Sequence, residues 1–360
     1  MKTLIVAENF VMDGVKRVTS VLGNRLSKET NIYYYSLADI ESFYPLKAPL
    51  IIARHPIDSH GISFRGDHPL DRFKTQINDL IDELSNGNYD SVILTAGLLT
   101  SFIPKIKRKI PHIRAIAWMH NNVDTYLNNY YIHMQKEFTR GLNAADTVVV
   151  LTEYDLLGFL PYNLNTIKIY NPLTIVAPKT STLMAHNIAF TGRIDIRQKG
   201  IDFLIEFASL LPDDWHLSIA GDGRELAMKE FDALIAKHHA QQNVNYQGRL
   251  KDQKLIEHYL NASLFVMTSR WEGLPLVLGE AMSFGLPIAT MYSTGADEYL
   301  AGGEHGILLD NHQPQAFLDA INPLLNDISI RKQYANKSLK RVQDFEMETV
   351  VKEWHKVLGL

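Results

Sequence analysis

Short runs of apolar, β-favouring residues alternate along the chain with longer segments whose apolar residues recur at helical spacing. This alternation predicts parallel sheets covered by helices, because each helix returns the chain to the start of the next strand. Helical spacing is found, for example, in Asp71–Leu84, Ile201–Leu211 and Pro275–Phe284. The predicted strands are Thr3–Ala7, Asn31–Leu37, Leu50–Ala53, Ser91–Thr95, Arg114–Met119, Thr147–Leu151, Thr166–Tyr170, Asn187–Thr191, Trp215–Ala220, Val244–Gln247, Leu264–Met267, Pro287–Thr290 and Gly306–Leu309.

The series of strands restarts near Asn171-Pro172, which predicts two domains in this chain of 360 residues. A polar, proline-containing stretch follows, and a proline disfavours helix at the residue before it, so we expect a linker there. The predicted domains cover residues 1–171 and 172–345, and an amphipathic C-terminal helix at about 346–360 is expected to join the first. The predicted fold class is α/β, with two Rossmann-like doubly wound domains facing each other across a cleft. Ligands of such sheets bind beyond the carboxyl ends of the strands.

Composition removes several classes of function. The formal net charge of −4 argues against a general nucleic-acid binder, whose affinity rests on excess Lys and Arg. The absence of cysteine excludes disulfides, thiolate chemistry and zinc sites that need sulfur. The apolar run near the N-terminus, Leu4–Ala7, is shorter than a signal peptide needs, and no stretch approaches the roughly 20 apolar residues of a membrane span. We therefore expect a soluble, cytoplasmic protein.

The strongest chemical signal lies between Arg270 and Glu280, in the sequence Arg-Trp-Glu-Gly-Leu-Pro-Leu-Val-Leu-Gly-Glu. This stretch follows a predicted buried strand and opens a predicted helix. Glu272 is expected in the turn before the helix and Glu280 about two turns into it. The backbone N–H groups of residues 273–277 would be the unpaired donors at the helix start, where phosphate binds well. A carboxylate at the same place can accept hydrogen bonds from sugar hydroxyls.

A second candidate element is Thr191-Gly-Arg-Ile-Asp-Ile-Arg-Gln-Lys-Gly200, which also follows a predicted strand. Arg193 can bind two phosphate oxygens at once, and Lys199 supplies a compact positive charge. Together they can neutralise a diphosphate leaving group as its charge develops. Two more strands are followed by the turn Gly221-Asp-Gly223 and by the loop Gln247-Gly-Arg-Leu250, which can offer backbone groups to a nucleobase.

These four features resemble the retaining glycosyltransferases of family 4, which have the GT-B fold. That family shows a GR…KG loop, a GDG turn, a GR/GxV loop and an E-x7-E motif, and all four occur here in this order. The resemblance covers nearly all of the second domain strongly and the first domain only weakly. Among the members of the family, the chain is most similar to those that build bacterial surface polysaccharides or glycan precursors.

The resemblance implies a role for each matching residue. Glu272 would hold hydroxyls of the donor sugar, Glu280 the nucleotide ribose, and Arg193 and Lys199 the diphosphate. In the first domain, His120 matches a cleft histidine near the reacting sugar and, like Arg193, Lys199 and Glu272, belongs to the predicted catalytic set. The remaining donor-binding residues implied by the family are Gly14, which follows Asp13 where the family has a second glycine, and the backbones of Arg249, Gly273, Leu274, Pro275, Leu276 and Val277.

The predicted function is a metal-independent, retaining hexosyltransferase without a cofactor. It would move a sugar from a nucleoside-diphosphate sugar, with UDP-sugar favoured, to a hydroxyl of a glycan or lipid-linked acceptor. Two alternatives stay open: a nucleotide-sugar epimerase on the same fold, and a non-catalytic partner subunit of an active transferase.

The segment 101–114 carries five basic residues among apolar ones. Such a helix is typical of an interfacial element, so we expect a peripheral contact with the inner face of the cell membrane. The alternative interpretation is a solvated face whose positive charges favour the C-terminal end of a helix.

Overall fold

The computed structural model describes residues 1–58 and 63–360, and these residues form two compact units. The first unit contains residues 1–174 and 346–360, and the second contains residues 175–345. The predicted domain boundary at Asn171-Pro172 lies next to this division. Each unit is built around one parallel sheet with its own hydrophobic core.

The described strands of the first unit pair in parallel in the order β3-β2-β1-β4-β5-β6-β7. The central strands are almost wholly buried because helices cover both faces of a parallel sheet. The strands are β1 (Lys2–Ala7), β2 (Asn31–Ala38), β3 (Leu50–Ile57), β4 (Ser91–Thr95), β5 (Arg114–Trp118), β6 (Thr147–Val150) and β7 (Thr166–Lys168).

The helices of the first unit follow its strands. The segment predicted as one helix, Asp71–Leu84, is instead two helices that meet at Phe73. Phe73 leaves helical geometry, with φ −100° and ψ 20°, and its buried ring contacts Phe102 at a centroid distance of 6.1 Å. The helices are α1 (Gly14–Leu26), α2 (Pro69–Arg72), α3 (Lys74–Gly87), α4 (Ala96–Thr100), α5 (Ile103–Lys109), α6 (Val123–Thr125), α7 (Gln135–Ala144) and α8 (Glu153–Phe159), with a π-helical turn at Tyr126–Tyr130.

The second unit repeats this architecture with the strand order β10-β9-β8-β11-β12-β13, again all parallel. The strands are β8 (Asn187–Thr191), β9 (His216–Ala220), β10 (Val244–Gly248), β11 (Leu264–Met267), β12 (Ile288–Met291) and β13 (Ile307–Leu309). The helices are α9 (Ile196–Lys199), α10 (Ile201–Ala208), α11 (Glu225–Lys237), α12 (Asp252–Leu260), α13 (Leu276–Ser283), α14 (Thr294–Leu300), α15 (Pro314–Asn326) and α16 (Ile328–Arg341), and a 3₁₀ turn follows at Val342–Phe345. The prediction of an α/β protein with two Rossmann-like sheets is confirmed.

The C-terminal helix α17 (Met347–Leu358) packs on the first unit. Its Trp354 is fully buried and meets Trp118 of β5 edge to face, at a centroid distance of 4.8 Å. Arg25 of α1 donates two hydrogen bonds to the carboxylate of Glu348, at 2.7 and 2.6 Å. The buried tryptophan therefore anchors the chain end, and the ion pair adds to the contact.

Candidate functional site

The two strongest candidate elements leave neighbouring strands of the second sheet. After β8 the chain proceeds outward to β9 and β10, whereas after β11 it proceeds to β12 and β13 on the other side. The loops after β8 and β11 therefore diverge and leave a crevice at the carboxyl edge of the sheet, which is where open α/β sheets bind ligands. Arg193 and Lys199 follow β8, and Glu272 follows β11.

Lys199 and Glu272 form an ion pair across this crevice. Only 15% of the Lys199 side chain and 11% of the Glu272 side chain are exposed, so water screens the pair weakly. The hydroxyl of Thr268, at the end of β11, donates to the Lys199 carbonyl at 2.8 Å and joins the same two loops through the backbone. The structure thus brings together a residue predicted to bind phosphate and a residue predicted to bind sugar.

Two glycines allow the close approach of these loops. Gly200 has a φ of +64°, and a Cβ atom at this position would lie 2.2 Å from the carbonyl oxygen of Thr268. A Cβ atom on Gly221, after β9, would lie 1.8 Å from the carbonyl oxygen of Gly192, after β8. A larger residue at either position would therefore push the loop that carries Arg193 and Lys199 away from its neighbours.

Helix α13 begins at Leu276, and Pro275 precedes it without a side-chain cap. Among the described atoms, the N–H groups of Gly273, Leu274, Leu276 and Val277 have no hydrogen-bond acceptor. These four donors can bind a phosphate or sugar oxygen at a helix start, whereas Pro275, which the expected range 273–277 included, has no N–H group.

Glu280 is the fifth residue of α13. It therefore lies only a little over one turn into the helix, and the expected distance of two turns is wrong because the helix begins no earlier than Leu276. The residue is 1% exposed, and Tyr259 of α12 donates its hydroxyl hydrogen to the Glu280 carboxylate at 2.9 Å. This hydrogen bond fixes the buried carboxylate in one orientation.

Arg249, assigned to the nucleobase through its backbone, follows the edge strand β10. Its guanidinium pairs with Asp222 of the turn after β9 at 2.9 Å. The backbone continues this chain of contacts, because the N–H of Gly221 donates to the Gly248 carbonyl at 2.8 Å and the N–H of Gly192 to the Ala220 carbonyl at 3.0 Å. The loops after β8, β9 and β10 therefore form one connected rim.

In the first unit, His120 follows β5 at the carboxyl edge of the sheet. The residue is 8% exposed, and neither ring nitrogen has a hydrogen-bond partner among the described atoms. Burial lowers the pKa of His120 to about 3; the Asp13 carboxylate opposes this shift, and the Lys16 ammonium adds to it. The imidazole is therefore neutral at physiological pH, with one donor and one acceptor available for a ligand or for water.

Gly14 is the first residue of α1, and Asp13 caps this helix by accepting from the Val15 N–H at 2.7 Å. The sequence analysis missed two charged neighbours, Glu8 and Lys16, which are buried at the same edge of the sheet. Burial raises the pKa of Glu8, and the Lys16 ammonium opposes this effect. The sequence contains only a weak sign that Glu8 is buried, because nothing but its position directly after β1 distinguishes it from a solvent-exposed carboxylate.

The predicted interfacial helix is α5, and its apolar residues are not available to a membrane. Phe102, Ile103, Ile106 and Ile110 belong to the core of the first unit. The Lys107 ammonium is held by Asp146 and by the Ile113 carbonyl. Insertion of an apolar face of segment 101–114 is therefore contradicted, because that face packs against the protein.

No group of three or more His, Asp or Glu side chains within 1–58 and 63–360 could hold a metal ion. No helix in the same ranges is both long enough and apolar enough to cross a membrane.

Comparisons with known proteins relate this chain to glycosyltransferases. Residues 180–341, nearly the whole second unit, match the family described as glycosyl transferases group 1. An uncharacterized glycosyltransferase of Haemophilus influenzae is 26% identical over 356 residues, which is 96% of each chain. The amylovoran biosynthesis glycosyltransferase AmsD of Erwinia amylovora is 27% identical over 369 residues, again 96% of each chain.

Among solved structures, HepE of Anabaena in complex with UDP and glucose superposes with a TM-score of 0.81 at 16% identity, covering 100% of this chain and 99% of that one. This likeness shows the GT-B fold. The matched domain and the two relatives aligned over 96% of this chain support glycosyltransferase activity.

Proposed function

We propose that the chain is a retaining, metal-independent glycosyltransferase that uses a nucleoside-diphosphate sugar, with a UDP-sugar favoured. The observation that carries this proposal is the pairing of Lys199 with Glu272 at the crevice between β8 and β11. A cation for phosphate and a carboxylate for sugar hydroxyls are adjacent there, beside the unpaired N–H groups at the start of α13. Such a site suits a ligand that carries a diphosphate and a sugar on neighbouring atoms.

Each part of the donor then has a partner. Arg193, Lys199 and the free N–H groups would bind the diphosphate, Glu272 the sugar hydroxyls and Glu280 the ribose. Because these cations and helix dipoles are fixed before the reaction, they stabilise the charge that develops on the leaving diphosphate. This is the work that a divalent cation performs in metal-dependent enzymes, so we propose that none is needed.

The reaction exchanges one bond for another. The bond between the anomeric carbon and the donor phosphate oxygen breaks, and a bond from the acceptor oxygen to the same face of that carbon forms. The departing phosphate oxygen takes the proton of the acceptor hydroxyl, so charge and atoms balance. We assign Glu272 no nucleophilic role, because its carboxylate is proposed to bind hydroxyls of the donor sugar. Catalysis would rest on positioning and electrostatic stabilisation.

The proposed acceptor is a glycan or a lipid-linked glycan, and the proposed process is polysaccharide biosynthesis. The name of the Erwinia relative supports this process. We further propose that the protein is cytoplasmic and meets the inner membrane surface through charge alone. In α5, Arg108 and Lys109 remain exposed, whereas Lys107 is held by Asp146.

Binding and turnover with a panel of UDP-, GDP- and ADP-sugars test the proposal. One donor should raise the melting temperature, because a ligand that binds only the folded protein stabilises it. The same donor should be hydrolysed slowly, and EDTA should leave this rate unchanged. No binding of any donor would refute the proposal. Binding without hydrolysis or transfer would favour the non-catalytic partner, and conversion of the donor into another sugar nucleotide would favour the epimerase.

A further inference from the structure

Gln198 lies between the two loops that carry the predicted donor-binding residues. It is the third residue of α9, directly before Lys199, and its residue exposure is only 9%. Its backbone N–H donates to the side chain of Asp195 at 2.8 Å, and its carbonyl accepts from the Arg270 N–H at 2.8 Å. The backbone of Gln198 is thus fixed from both sides, and its side chain is held in the crevice.

The partners of the Gln198 side chain determine its orientation. Nη2 of Arg193 donates to Oε1 of Gln198 at 2.9 Å. A guanidinium has only donors, so the amide oxygen must face Arg193. The amide nitrogen then faces the carbonyl oxygen of Trp271 at 3.5 Å, at the outer limit of a hydrogen bond. One neutral side chain therefore links Arg193 to the residue next to Glu272.

Among the described residues, two other cations of this region pair with carboxylates, whereas Arg193 pairs with none. Lys199 pairs with the Glu272 carboxylate, and Arg270 binds the Asp202 carboxylate through two hydrogen bonds at 2.9 and 2.7 Å. Arg193 is instead held by an amide, which directs the guanidinium without cancelling its charge. A carboxylate at the position of Gln198 would hold Arg193 equally well, but it would compete with any anionic ligand.

We propose that Gln198 is a positioning residue that holds Arg193 as an unneutralised cation for the diphosphate of the donor. The inference rests on the proposed function, because it assumes that a nucleoside diphosphate binds here. It makes Gln198 a determinant of diphosphate recognition rather than of base or ribose recognition. Its effect should therefore appear with a diphosphate ligand and be absent with a nucleoside.

The test begins with isothermal titration of the wild-type protein with UDP, GDP and ADP. The diphosphate that binds best, its nucleoside and inorganic pyrophosphate are then titrated into variants Gln198→Glu and Gln198→Leu. Gln198→Glu should raise the Kd of the diphosphate and of pyrophosphate about 10- to 100-fold. This change corresponds to the loss of one charge-assisted contact, which contributes about 1.5–3 kcal/mol. Gln198→Leu should raise it about 2- to 10-fold, because Arg193 must then be ordered by the ligand.

Two controls separate positioning from a general loss of structure. Gln241→Glu adds the same charge at an exposed position of the second unit, and it should bind like the wild type. Binding of the nucleoside should be unchanged in both Gln198 variants. If Gln198 acts only through Arg193, the neutral variant Gln198→Leu should have no further effect in an Arg193→Ala background, so these two substitutions should be strongly non-additive.

The outcomes separate the inference from the proposed function. If the wild-type protein binds none of the nucleotides, the proposed function fails. If it binds a diphosphate and both Gln198 variants bind it equally well, the inference is overturned and the proposed function stands. An equal loss of nucleoside and diphosphate binding in the variants would also overturn it, since that result indicates a damaged site. A purely additive double variant would show that Gln198 does not act through Arg193.

Discussion

Replacing Lys199 with methionine leaves the Glu272 carboxylate in the crevice without its cation. Methionine keeps most of the length and apolar volume of the lysine side chain, so the change removes mainly the charge. Breaking a buried ion pair costs about 3–5 kcal/mol, because the remaining charge is left without compensation. Both side chains here retain a little exposure, 15% for Lys199 and 11% for Glu272, so we expect a loss of about 2–4 kcal/mol.

The corresponding change in melting temperature is measurable. A domain of the size of the second unit, residues 175–345, loses about 2–4 °C for each kcal/mol. Lys199→Met should therefore lower the transition of this unit by roughly 4–16 °C, measured by calorimetry. The matched control is Lys229→Met, because Lys229 pairs with Glu225 along α11 with 71% and 83% of the side chains exposed. Such a surface pair contributes about 0.5 kcal/mol or less, so this control should hardly shift the transition.

A double variant separates stability from function. In Lys199→Met/Glu272→Gln, no uncompensated charge remains in the crevice, so much of the lost stability should return. Donor turnover should stay low, by about 100-fold or more, because the diphosphate and the sugar hydroxyls have both lost a charged partner. An unchanged melting temperature in Lys199→Met would show that the ion pair is not buried as described. Near-wild-type turnover in the double variant would refute the site assignment.

Three further predictions concern protonation, metals and membranes. The folded-state pKa of His120 is about 3, below the unfolded value of about 6.5, so burial of its neutral imidazole destabilises the protein increasingly as the pH falls from 6.5 towards 3. In urea titrations, His120→Asn should therefore flatten the dependence of the unfolding free energy on pH in this range. A pH dependence identical to that of the wild type would contradict the burial of a neutral imidazole. Donor turnover should survive EDTA, and loss that Mg²⁺ or Mn²⁺ restores would show that Arg193 and Lys199 are not sufficient. The wild-type protein should float with anionic liposomes at low salt but not at high salt, because salt screens the attraction between charges. The variant Arg108→Gln/Lys109→Gln should float less, because each exposed basic residue contributes about 1 kcal/mol to membrane binding. Flotation that persists at high salt would indicate apolar insertion.

The sheets could be predicted from the sequence because buried parallel strands are continuous apolar runs. The predicted limits of Ser91–Thr95, Asn187–Thr191 and Leu264–Met267 agree with the observed ones. The edge strand β3 was predicted too short, as Leu50–Ala53, whereas it continues to Ile57. Its last residues include a charge and Pro56, which an edge strand tolerates because one of its sides makes no sheet hydrogen bonds. Polarity therefore marks the end of a central strand but not the end of an edge strand.

Segment 101–114 shows a different limit of the sequence pattern. An apolar stripe at helical spacing looks the same whether it faces a core, a membrane or a partner. In α5 the stripe faces the core, and Lys107 reaches the Asp146 carboxylate. Strand β5, helix α6, the π-helical turn and helix α7 separate Asp146 from Lys107 in the sequence, so this partner could be found only in the folded protein.

In the candidate site, too, some residues can be identified from the sequence and others only from the fold. Arg193, Lys199, Glu272 and Glu280 stand in local motifs, and a motif can be recognised without knowledge of the fold. Gln198 was missed because it lies inside one of these motifs as an ordinary polar residue. Its significance comes from partners on either side, Arg193 within its own loop and Trp271 in the loop after the neighbouring strand β11.

If the site binds a sugar nucleotide as proposed, the pairing of Lys199 with Glu272 also links the two halves of the donor thermodynamically. A diphosphate that draws Lys199 away leaves the Glu272 carboxylate without its cation, and a free sugar that engages Glu272 weakens the hold on Lys199. Either ligand alone therefore works against the ion pair, and part of its binding energy offsets the loss. An intact sugar nucleotide supplies an anion for Lys199 and hydroxyl donors for Glu272 together, so one binding event compensates both residues. Under the proposed site assignment, the ion pair would thus favour the complete donor over its separated products, and it would help the nucleoside diphosphate to leave once the sugar has been transferred.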